Sequence, residues 1–190
     1  MFWITDIFLY ILLPGIAIYA LFRLLLMYKY KLNLRSEIRN LTIYLYLLGF
    51  TFIVWLTPAP DFGYLPINLV PFKTIMELFS NDLSFYIIAS NLFGNIILTL
   101  PIGIFIVYKW KQIKFLNLLC IGLAVPIMIE SIQYILYYIG YGSRSIDIDD
   151  VILNMTGILI GYYLSRWAFH LYQMKKNSKQ PINSAMKGRG

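Results

Sequence analysis

A run of apolar residues at 85–108 carries no charged side chain and is the strongest structural constraint in the sequence. A helix that crosses a bilayer needs about 20 consecutive, mostly apolar residues, and this run is long enough. The whole chain is 59% hydrophobic and 13% charged, whereas a soluble domain carries about 25% charged residues. The composition therefore indicates an integral membrane protein.

Four further apolar stretches accompany this run and predict an all-α, polytopic membrane helical bundle with about five transmembrane helices. The predicted spans are residues 7–28, 41–57, 85–108, 115–138 and 151–172. Residues 1–172 form a single membrane domain in this interpretation, and residues 173–190 form a basic, disordered tail. Arg23 lies close enough to the end of the first span for its side chain to reach the interface.

The basic residues predict the sidedness of the bundle. They concentrate between the first and second spans, between the third and fourth spans, and in the tail. With five spans these segments share one side, which the positive-inside rule identifies as the cytoplasm, so the N-terminus is outside and the C-terminus cytoplasmic. This topology explains the net charge of +7 without a nucleic-acid partner. The expected partners are membrane lipids, whose anionic head groups attract basic segments.

Two residue types that occur once each exclude several kinds of site. Cys120 is the one cysteine, so neither a disulfide framework nor a thiolate metal site is expected. His170 is the one histidine and lies near the cytoplasmic end of the fifth span, which argues against a histidine metal cluster and against Ser–His or Cys–His catalysis. A glycine-rich phosphate loop does not occur, and the sequence specifies no cofactor.

Glu130 is an acidic residue inside the fourth span, about 12 Å along the helix from its predicted outer end. A charged side chain near a bilayer centre costs about 2.5–3.5 kcal/mol on insertion scales. Glu130 is therefore expected either to face polar partners or to be protonated. Gln133 lies on the same helix face, and Pro126 frees the backbone carbonyl of Gly122 one turn earlier.

The third span carries amide side chains on a comparable face. Asn91 and Asn95 are four residues apart, and Asn95 lies at a depth similar to that of Glu130. Pro101 and Gly103 follow and are expected to kink the helix.

The fifth span begins with a stripe of acidic, amide and glycine residues at spacings of three and four, which places them on one helical face if the helix starts by residue 147. Asp149 falls off this stripe, and Arg144 precedes it by three residues. The glycines permit another helix to approach closely. The stripe consists of Asp147, Asp150, Asn154, Gly157 and Gly161.

The loop between the second and third spans has prolines at positions 58, 60, 66 and 71 and is otherwise rich in apolar residues. Such a loop either re-enters the outer leaflet or lies over the bundle as a lid, which would bring Asn68 and Lys73 near the polar residues. The alternative is a loop that packs on the lipid head groups and binds no ligand.

Structural roles explain these polar residues when each is taken singly. Asp147 and Asp150 have the spacing of a helix N-cap followed by an acidic residue three positions later. The amide side chains can join helices at about 0.6–2 kcal/mol each. Glu130 can pair with Arg144 as a buried ion pair. Because the polar residues gather in the outer half of three helices, we favour a functional site.

Four motifs make the chain resemble the VanZ-like family. They are NLVPFKTI at residues 68–75, NLFGNIILTLPIG at 91–103, ESIQ at 130–133 and RSIDIDDVILNMTGILIGY at 144–162, in the family's order and spacing. Thr99 and Leu100 stand where an aromatic residue is usual before the proline of the third-span motif, and we expect this to affect packing more than the polar residues.

The resemblance covers about residues 41–165 and implies a multi-pass protein of the bacterial cytoplasmic membrane. The founder of the family is associated with low-level resistance to teicoplanin, a glycopeptide antibiotic that acts on cell-wall precursors. The resemblance implies no agreed reaction.

The leading functional hypothesis is an outward-facing site for the head group of an anionic lipid, with polyprenyl-linked wall precursors as candidate substrates. Arg144 and Lys73 would hold a phosphate or carboxylate. Glu130, Asp147 and Asp150 would carry protons or hold a divalent cation, in an acid–base or metal-assisted transfer or hydrolysis. The alternatives are a non-enzymatic transporter or membrane partner protein and a purely structural cluster. Hydrogen bonds to the ligand would come from Asn68, Asn91, Asn95, Gln133 and Asn154.

Overall fold

The computed structural model of the protein describes residues 8–26, 33–57, 63–110, 112–141 and 145–187, most of which are helical. These ranges contain six α-helices and two β-strands of two residues each. A π-helical turn precedes the first α-helix at Phe8–Leu12, and another continues the second at Phe52–Leu56. The elements are α1 (Leu13–Leu26), α2 (Leu34–Thr51), β1 (Ile67–Asn68), α3 (Lys73–Ser80), α4 (Phe85–Lys109), α5 (Phe115–Tyr138), β2 (Ile146–Asp147) and α6 (Ile148–Lys187).

Four helical segments of the described residues are long and apolar enough to cross a membrane. They correspond to the first four predicted spans, so the prediction of an all-α, polytopic membrane bundle is confirmed. The fifth predicted span, residues 151–172, is helical as part of α6 and is not among these four segments. A total of five spans and the sidedness of the bundle stay predictions. The four segments are Leu9–Leu26, Leu34–Leu56, Phe85–Lys109 and Phe115–Tyr138.

Helix α6 continues well beyond the fifth predicted span. Its 40 residues correspond to a length of about 60 Å, roughly twice the hydrocarbon thickness of a bilayer. Residues 173–187, for which the sequence predicts disorder, belong to this helix. Gln, Met and Lys at the start of this stretch are good helix formers, and extending an existing helix requires no new nucleation step. The basic stretch is thus helical as far as Lys187.

The chain divides into two compact units, and a single membrane domain over residues 1–172 stays a prediction. The first unit contains Met1–Tyr64 and Ile135–Arg144, and the second contains Leu65–Tyr134 and Ser145–Gly190. All candidate site residues except Arg144 lie in the second unit, so that unit holds the described part of the candidate site.

The first unit contains α1 and α2, which meet at a glycine. A Cβ atom on Gly15 would lie 2.3 Å from Cδ2 of Leu48, so only glycine allows this approach without a shift of Leu48. Arg23 forms an ion pair with Glu37 of α2, and Glu37 also accepts a hydrogen bond from the Tyr19 hydroxyl. Arg23, in the last turn of α1, is therefore paired with the first turn of α2, and the reach of its side chain to the membrane interface stays a prediction.

In the second unit, α4 and α6 run parallel and in close contact. The contacts advance together along both helices, since Asn95 bonds to Asp150 and a Cβ atom on Gly103 would lie 2.1 Å from the carbonyl oxygen of Ile158. A Cβ atom on Gly157 would lie 2.3 Å from a carbonyl oxygen of α4. The expectation that these glycines allow close helix approach is therefore confirmed.

Helix α5 packs against α6 in the opposite direction. Gly122 of α5 faces Met155, while Glu130, further along α5, bonds to the backbone of Asp147, which precedes Met155 in the chain. The apolar core of the unit lies toward one end of the three helices, and the acidic residues lie toward the other. The buried core residues are Ile106, Leu118, Ile158 and Tyr162.

A small parallel sheet attaches the loop before α3 to the start of α6. Ile67 pairs with Ile146 and Asn68 pairs with Asp147, and the backbone N–H of Ile146 donates to the carbonyl of Pro66 at 2.9 Å. These strands are absent from the sequence prediction, because two residues carry no periodic pattern. The sheet places Asn68 beside the first turn of α6, as the lid interpretation of the loop expects.

Candidate functional site

Asp147 is the residue on which the loop, α3 and α6 converge. Its side chain caps α6, because Oδ1 accepts the backbone N–H of Asp149 at 2.9 Å. Oδ1 also accepts Nδ2 of Asn68 at 2.9 Å, and Oδ2 accepts the hydroxyl of Thr74 at 2.5 Å. The residue is 5% exposed. Asp147 is thus the predicted N-cap of α6, and three protein donors occupy its carboxylate.

Asp149 is the most deeply buried carboxylate among the described residues, at 1% exposure. It lies off the stripe, as predicted, and points to the start of α3. Oδ1 accepts the backbone N–H of Phe72 at 2.5 Å, and Oδ2 accepts that of Ile75 at 3.1 Å. Phe72 occupies the N-cap position of α3 and supplies no side-chain cap of its own. Asp149 therefore caps α3 from another helix, a role that the sequence did not indicate.

The backbone of Phe72 adopts a left-handed conformation, with φ at 64°. A bulky residue in this region is a real outlier, and such strain persists only where surrounding contacts impose it. The short hydrogen bond from the Phe72 N–H to Asp149 is one such contact. The loop thus turns into α3 at a strained residue that a buried carboxylate holds in place.

Asp150 and Asn154 face α4 on the predicted stripe. Nδ2 of Asn95 donates to Oδ1 of Asp150 at 2.5 Å, and the hydroxyl of Thr99 donates to the backbone carbonyl of Asn154 at 2.8 Å. The Asn154 side chain is 3% exposed, and its Oδ1 has no hydrogen-bond donor among the described residues. An unsatisfied buried acceptor costs about 1–3 kcal/mol, so Asn154 is the polar group that most requires explanation. We call the polar residues that gather around the start of α6 the polar cluster. They are Asn68, Thr74, Asn95, Thr99, Glu130, Gln133, Asp147, Asp149, Asp150 and Asn154.

Glu130 joins the cluster from α5 and is 7% exposed. Its Oε2 accepts the backbone N–H of Asp147 at 3.2 Å. Gln133, three residues on, is also buried. Glu130 therefore faces polar partners at the start of α6 and does not project into lipid, which is the first of the two outcomes expected from the sequence.

Two residues predicted to bind the ligand, Asn91 and Lys73, do not join this cluster. Asn91 is exposed, and its Nδ2 donates to the carbonyl of Ile87 in its own helix at 2.8 Å. The side chain of Lys73 is 55% exposed, and its Nζ lies 3.9 Å from Oε1 of Glu77 one turn along α3. Arg144 lies outside the described residues. Lys73 occupies an exposed face of α3. Asn91 shares a helix face with Asn95 but lies one turn earlier, and Asn95 already contacts the first turn of α6, so Asn91 lies beyond the start of α6.

The described residues contain no group of three or more His, Cys, Asp or Glu side chains placed to hold a metal ion. The carboxylates of Asp147 and Asp149 point at different donors on the loop and on α3. The divalent cation considered in the sequence analysis therefore has no ready-made set of carboxylate ligands in this part of the chain.

In a comparison with family models, residues 41–170 match the family described as VanZ/LLP1. The chain belongs to the VanZ-like family. No curated protein matches the chain. No solved structure matches it. The VanZ-like segment runs from within α2 to within α6 and includes every residue of the polar cluster.

Thr99, which the sequence singles out in the third-span motif, is completely buried. Its hydroxyl lies 2.8 Å from the carbonyl oxygens of both Asn95 and Asn154, so it can donate to either one. A Cβ atom on Gly157 would lie 2.4 Å from its Oγ1. Thr99 therefore contacts the backbone where α4 and α6 pack, and the expectation that this departure affects packing more than the polar residues stays a prediction. A small hydroxyl residue fits here because the two helix backbones are almost in contact. Thr74, the other hydroxyl residue of the cluster, carried no signal in the sequence.

Proposed function

We propose that this VanZ-like membrane protein binds the head group of an anionic lipid at the polar cluster, with polyprenyl-linked wall precursors of the bacterial cytoplasmic membrane as the candidate class. Binding or modifying such a precursor on the outer surface would lower sensitivity to a lipophilic glycopeptide such as teicoplanin. The proposal combines the family, the membrane helices and the chemistry of the buried residues.

The carboxylates of the cluster divide into two kinds. Asp147 accepts three hydrogen bonds and Asp149 accepts two, all from donors of this chain, so both residues serve to hold the loop and α3. Glu130 and Asp150 come from two different helices and are the carboxylates best suited to exchange a proton with a ligand. In this proposal Asp147 holds the loop and α3, and the catalytic role that the sequence suggests for Glu130, Asp147 and Asp150 falls to Glu130 and Asp150.

The observation that carries the proposal is the buried amide oxygen of Asn154, which has no donor among the described residues. It lies one helical turn beyond Asp150 on the same face of α6. A hydroxyl or amide N–H of a sugar or peptide head group would supply the donor that this oxygen lacks. Arg144, three residues before Asp147, would balance the negative charge of the lipid. The part of Arg144 in the site stays a prediction from the sequence.

Lipid identification on the purified full chain tests this proposal. The protein is extracted in mild detergent, and bound lipids are identified by mass spectrometry for the native chain, Asn154→Leu and Asp150→Asn. We expect a polyprenyl-linked or other anionic lipid with the native chain and at least a tenfold loss with both variants. Asn91→Ala is the matched control, because Asn91 is an amide residue outside the cluster. Equal lipid content in all four proteins would refute the proposal.

Whether a reaction follows binding is tested with the same preparations. Undecaprenyl phosphate and undecaprenyl pyrophosphate are added to native protein and to Glu130→Gln in detergent, where no gradient exists. If native protein changes the lipid and the Glu130→Gln variant does not, the protein is an enzyme and Glu130 takes part in its chemistry. Lipid binding without any change would favour the non-enzymatic transporter or membrane partner protein.

A purely structural cluster is the second candidate. The hydrogen bonds that Asp147 and Asp149 accept from the loop, α3 and α6 favour it. In that case Glu130→Gln and Asp150→Asn would retain full function, while Asp147→Asn would lose function only to the extent that it loses stability. Teicoplanin susceptibility of a deletion strain, complemented with each variant at matched membrane levels, provides the functional measurement. Unchanged susceptibility on deletion would exclude resistance as the role of this member.

A further inference from the structure

Helix α3 presents three different faces. At about 100° per residue, Thr74, Ile75 and Leu78 share one face, which packs on the unit; Leu78 is 9% exposed. The opposite face is polar and exposed. It consists of Lys73, Glu77 and Ser80.

Between these two faces lies an exposed apolar strip. Met76 and Phe79 are each 66% exposed, although both are large and apolar. The turn before α3 extends the strip with Leu69 at 72%, Val70 at 59% and Phe72 at 51% exposure. We call these five residues the apolar ridge. A contiguous exposed apolar surface of this kind marks a site of contact with a membrane or another protein.

The position of α3 favours the membrane. Only residues 81–84 separate it from α4, a membrane-crossing helix that begins at Phe85. A chain of this length spans at most about 18 Å, so α3 lies near the level at which α4 leaves the bilayer. The first turn of α4 is itself apolar and exposed, with Phe85 at 82% and Tyr86 at 68%. A short linker therefore separates the apolar ridge from a second apolar, exposed surface at the start of α4.

The order of the three faces also fits a helix in the plane of the interface. Such a helix needs the protein on one side, acyl chains below and water above, and α3 provides a packed face, an apolar strip and a polar face in that angular order. A helix that only covered the unit from solution would need a packed face and a polar face and no exposed apolar strip.

We propose that α3 is an interfacial anchor whose apolar ridge inserts among the acyl chains of the leaflet at this end of α4. The inserted face of an interfacial helix typically lies about 5–10 Å into the boundary between head groups and acyl chains. Because Asp149 and Asp147 bind α3 directly, the anchor holds the polar cluster at the depth of the lipid head groups. The anchor does not depend on the proposed function, since it requires no specific lipid.

Spin-label accessibility on the full chain tests this inference. Single cysteines replace Met76, Phe79, Glu77 and Ser80 in turn, in a chain with Cys120→Ser, and each protein is placed in vesicles of phosphatidylethanolamine and phosphatidylglycerol. We expect labels at 76 and 79 to collide more with oxygen, which concentrates in lipid, and labels at 77 and 80 to collide more with a water-soluble nickel chelate. The preference should reverse between neighbouring positions.

Two outcomes would overturn the inference. Equal access of the nickel chelate to all four positions would place the apolar ridge in water, and exclusion of both reagents at 76 and 79 would mean that protein covers it. If the Cys120→Ser chain does not fold, Phe79→Trp and Ser80→Trp are compared in vesicles with brominated acyl chains, each read against the unsubstituted chain. We expect at least twofold stronger quenching of the tryptophan at 79, and equal quenching would refute the anchor. If α3 inserts in the membrane but no lipid binds at the polar cluster, the proposed function is contradicted and the anchor is not.

Discussion

Replacing Asp149 with alanine removes the cap that α6 supplies to α3. Two backbone N–H groups, those of Phe72 and Ile75, then lose a charged acceptor in a place where water has little access, because Asp149 is 1% exposed. The strained backbone of Phe72 also loses a contact that holds it. We therefore expect α3 and the turn before it to open locally while the long helices remain folded.

The magnitude follows from the two hydrogen bonds. A bond to a charged group contributes about 1.5–3 kcal/mol, so the loss of two lowers the local stability of α3 by about 3–6 kcal/mol. Interaction of the carboxylate with the positive end of the α3 dipole adds about 0.3–1 kcal/mol. The two contributions together amount to about 3.3–7 kcal/mol. Since about 1.4 kcal/mol corresponds to a factor of ten, amide exchange in α3 should accelerate about 10²–10⁵-fold, up to the limit set by its native protection. Asp149→Asn keeps one carbonyl acceptor and should lie between alanine and the native chain.

Hydrogen exchange followed by mass spectrometry measures this directly in detergent. The informative peptide covers residues 69–80, and a peptide from the centre of α4 serves as the internal reference. Asp82→Ala is the matched control, because Asp82 is an exposed aspartate in the linker after α3. Unchanged exchange of α3 in Asp149→Ala would refute the capping argument. Equal acceleration in α3 and α4 would refute the claim that the opening is local.

Three further substitutions test the contacts around the cluster through thermal unfolding of the purified protein. Gly157→Ala should destabilise the protein by about 1–3 kcal/mol, because the new methyl group would overlap the backbone of α4. Gly94→Ala is the control and should not destabilise the protein, because Gly94 has open space around it. Equal effects of the two substitutions would contradict the close helix contact. Thr99→Val should cost about 0.5–1.5 kcal/mol by removing the hydroxyl bond to the backbone of α6, and no loss would show that this bond contributes nothing. Asn68→Ala should cost about 1–3 kcal/mol by removing a donor from the carboxylate that caps α6. Asn91→Ala, which removes a bond within one exposed helix turn, should cost less, and the reverse order would contradict the assignment.

Length, hydrophobicity and charge along the chain were enough to predict a polytopic helical membrane protein. These properties are local sums over about 20 residues, so they can be evaluated without knowing which segments meet. The stripe on α6 was predictable for the same reason, because the helical period alone places Asp150, Asn154 and the glycines on one face. The N-cap role of Asp147 also follows from residues adjacent in sequence.

Only the tertiary structure decided which of these side chains share a site. The contacts of Asp147 and Asp149 with the loop and α3 join residues 73 to 79 positions apart, and two residues of parallel strand bring them together. Helical period says nothing about such distant pairs, so the sequence could not show that Asp149 caps α3 or that Lys73 and Asn91 lie outside the polar cluster. In a membrane bundle an apolar run by itself requires a helix. The polar side chains form hydrogen bonds to one another only when separate segments pack, because contact between distant residues depends on three-dimensional distance and not on spacing in the sequence.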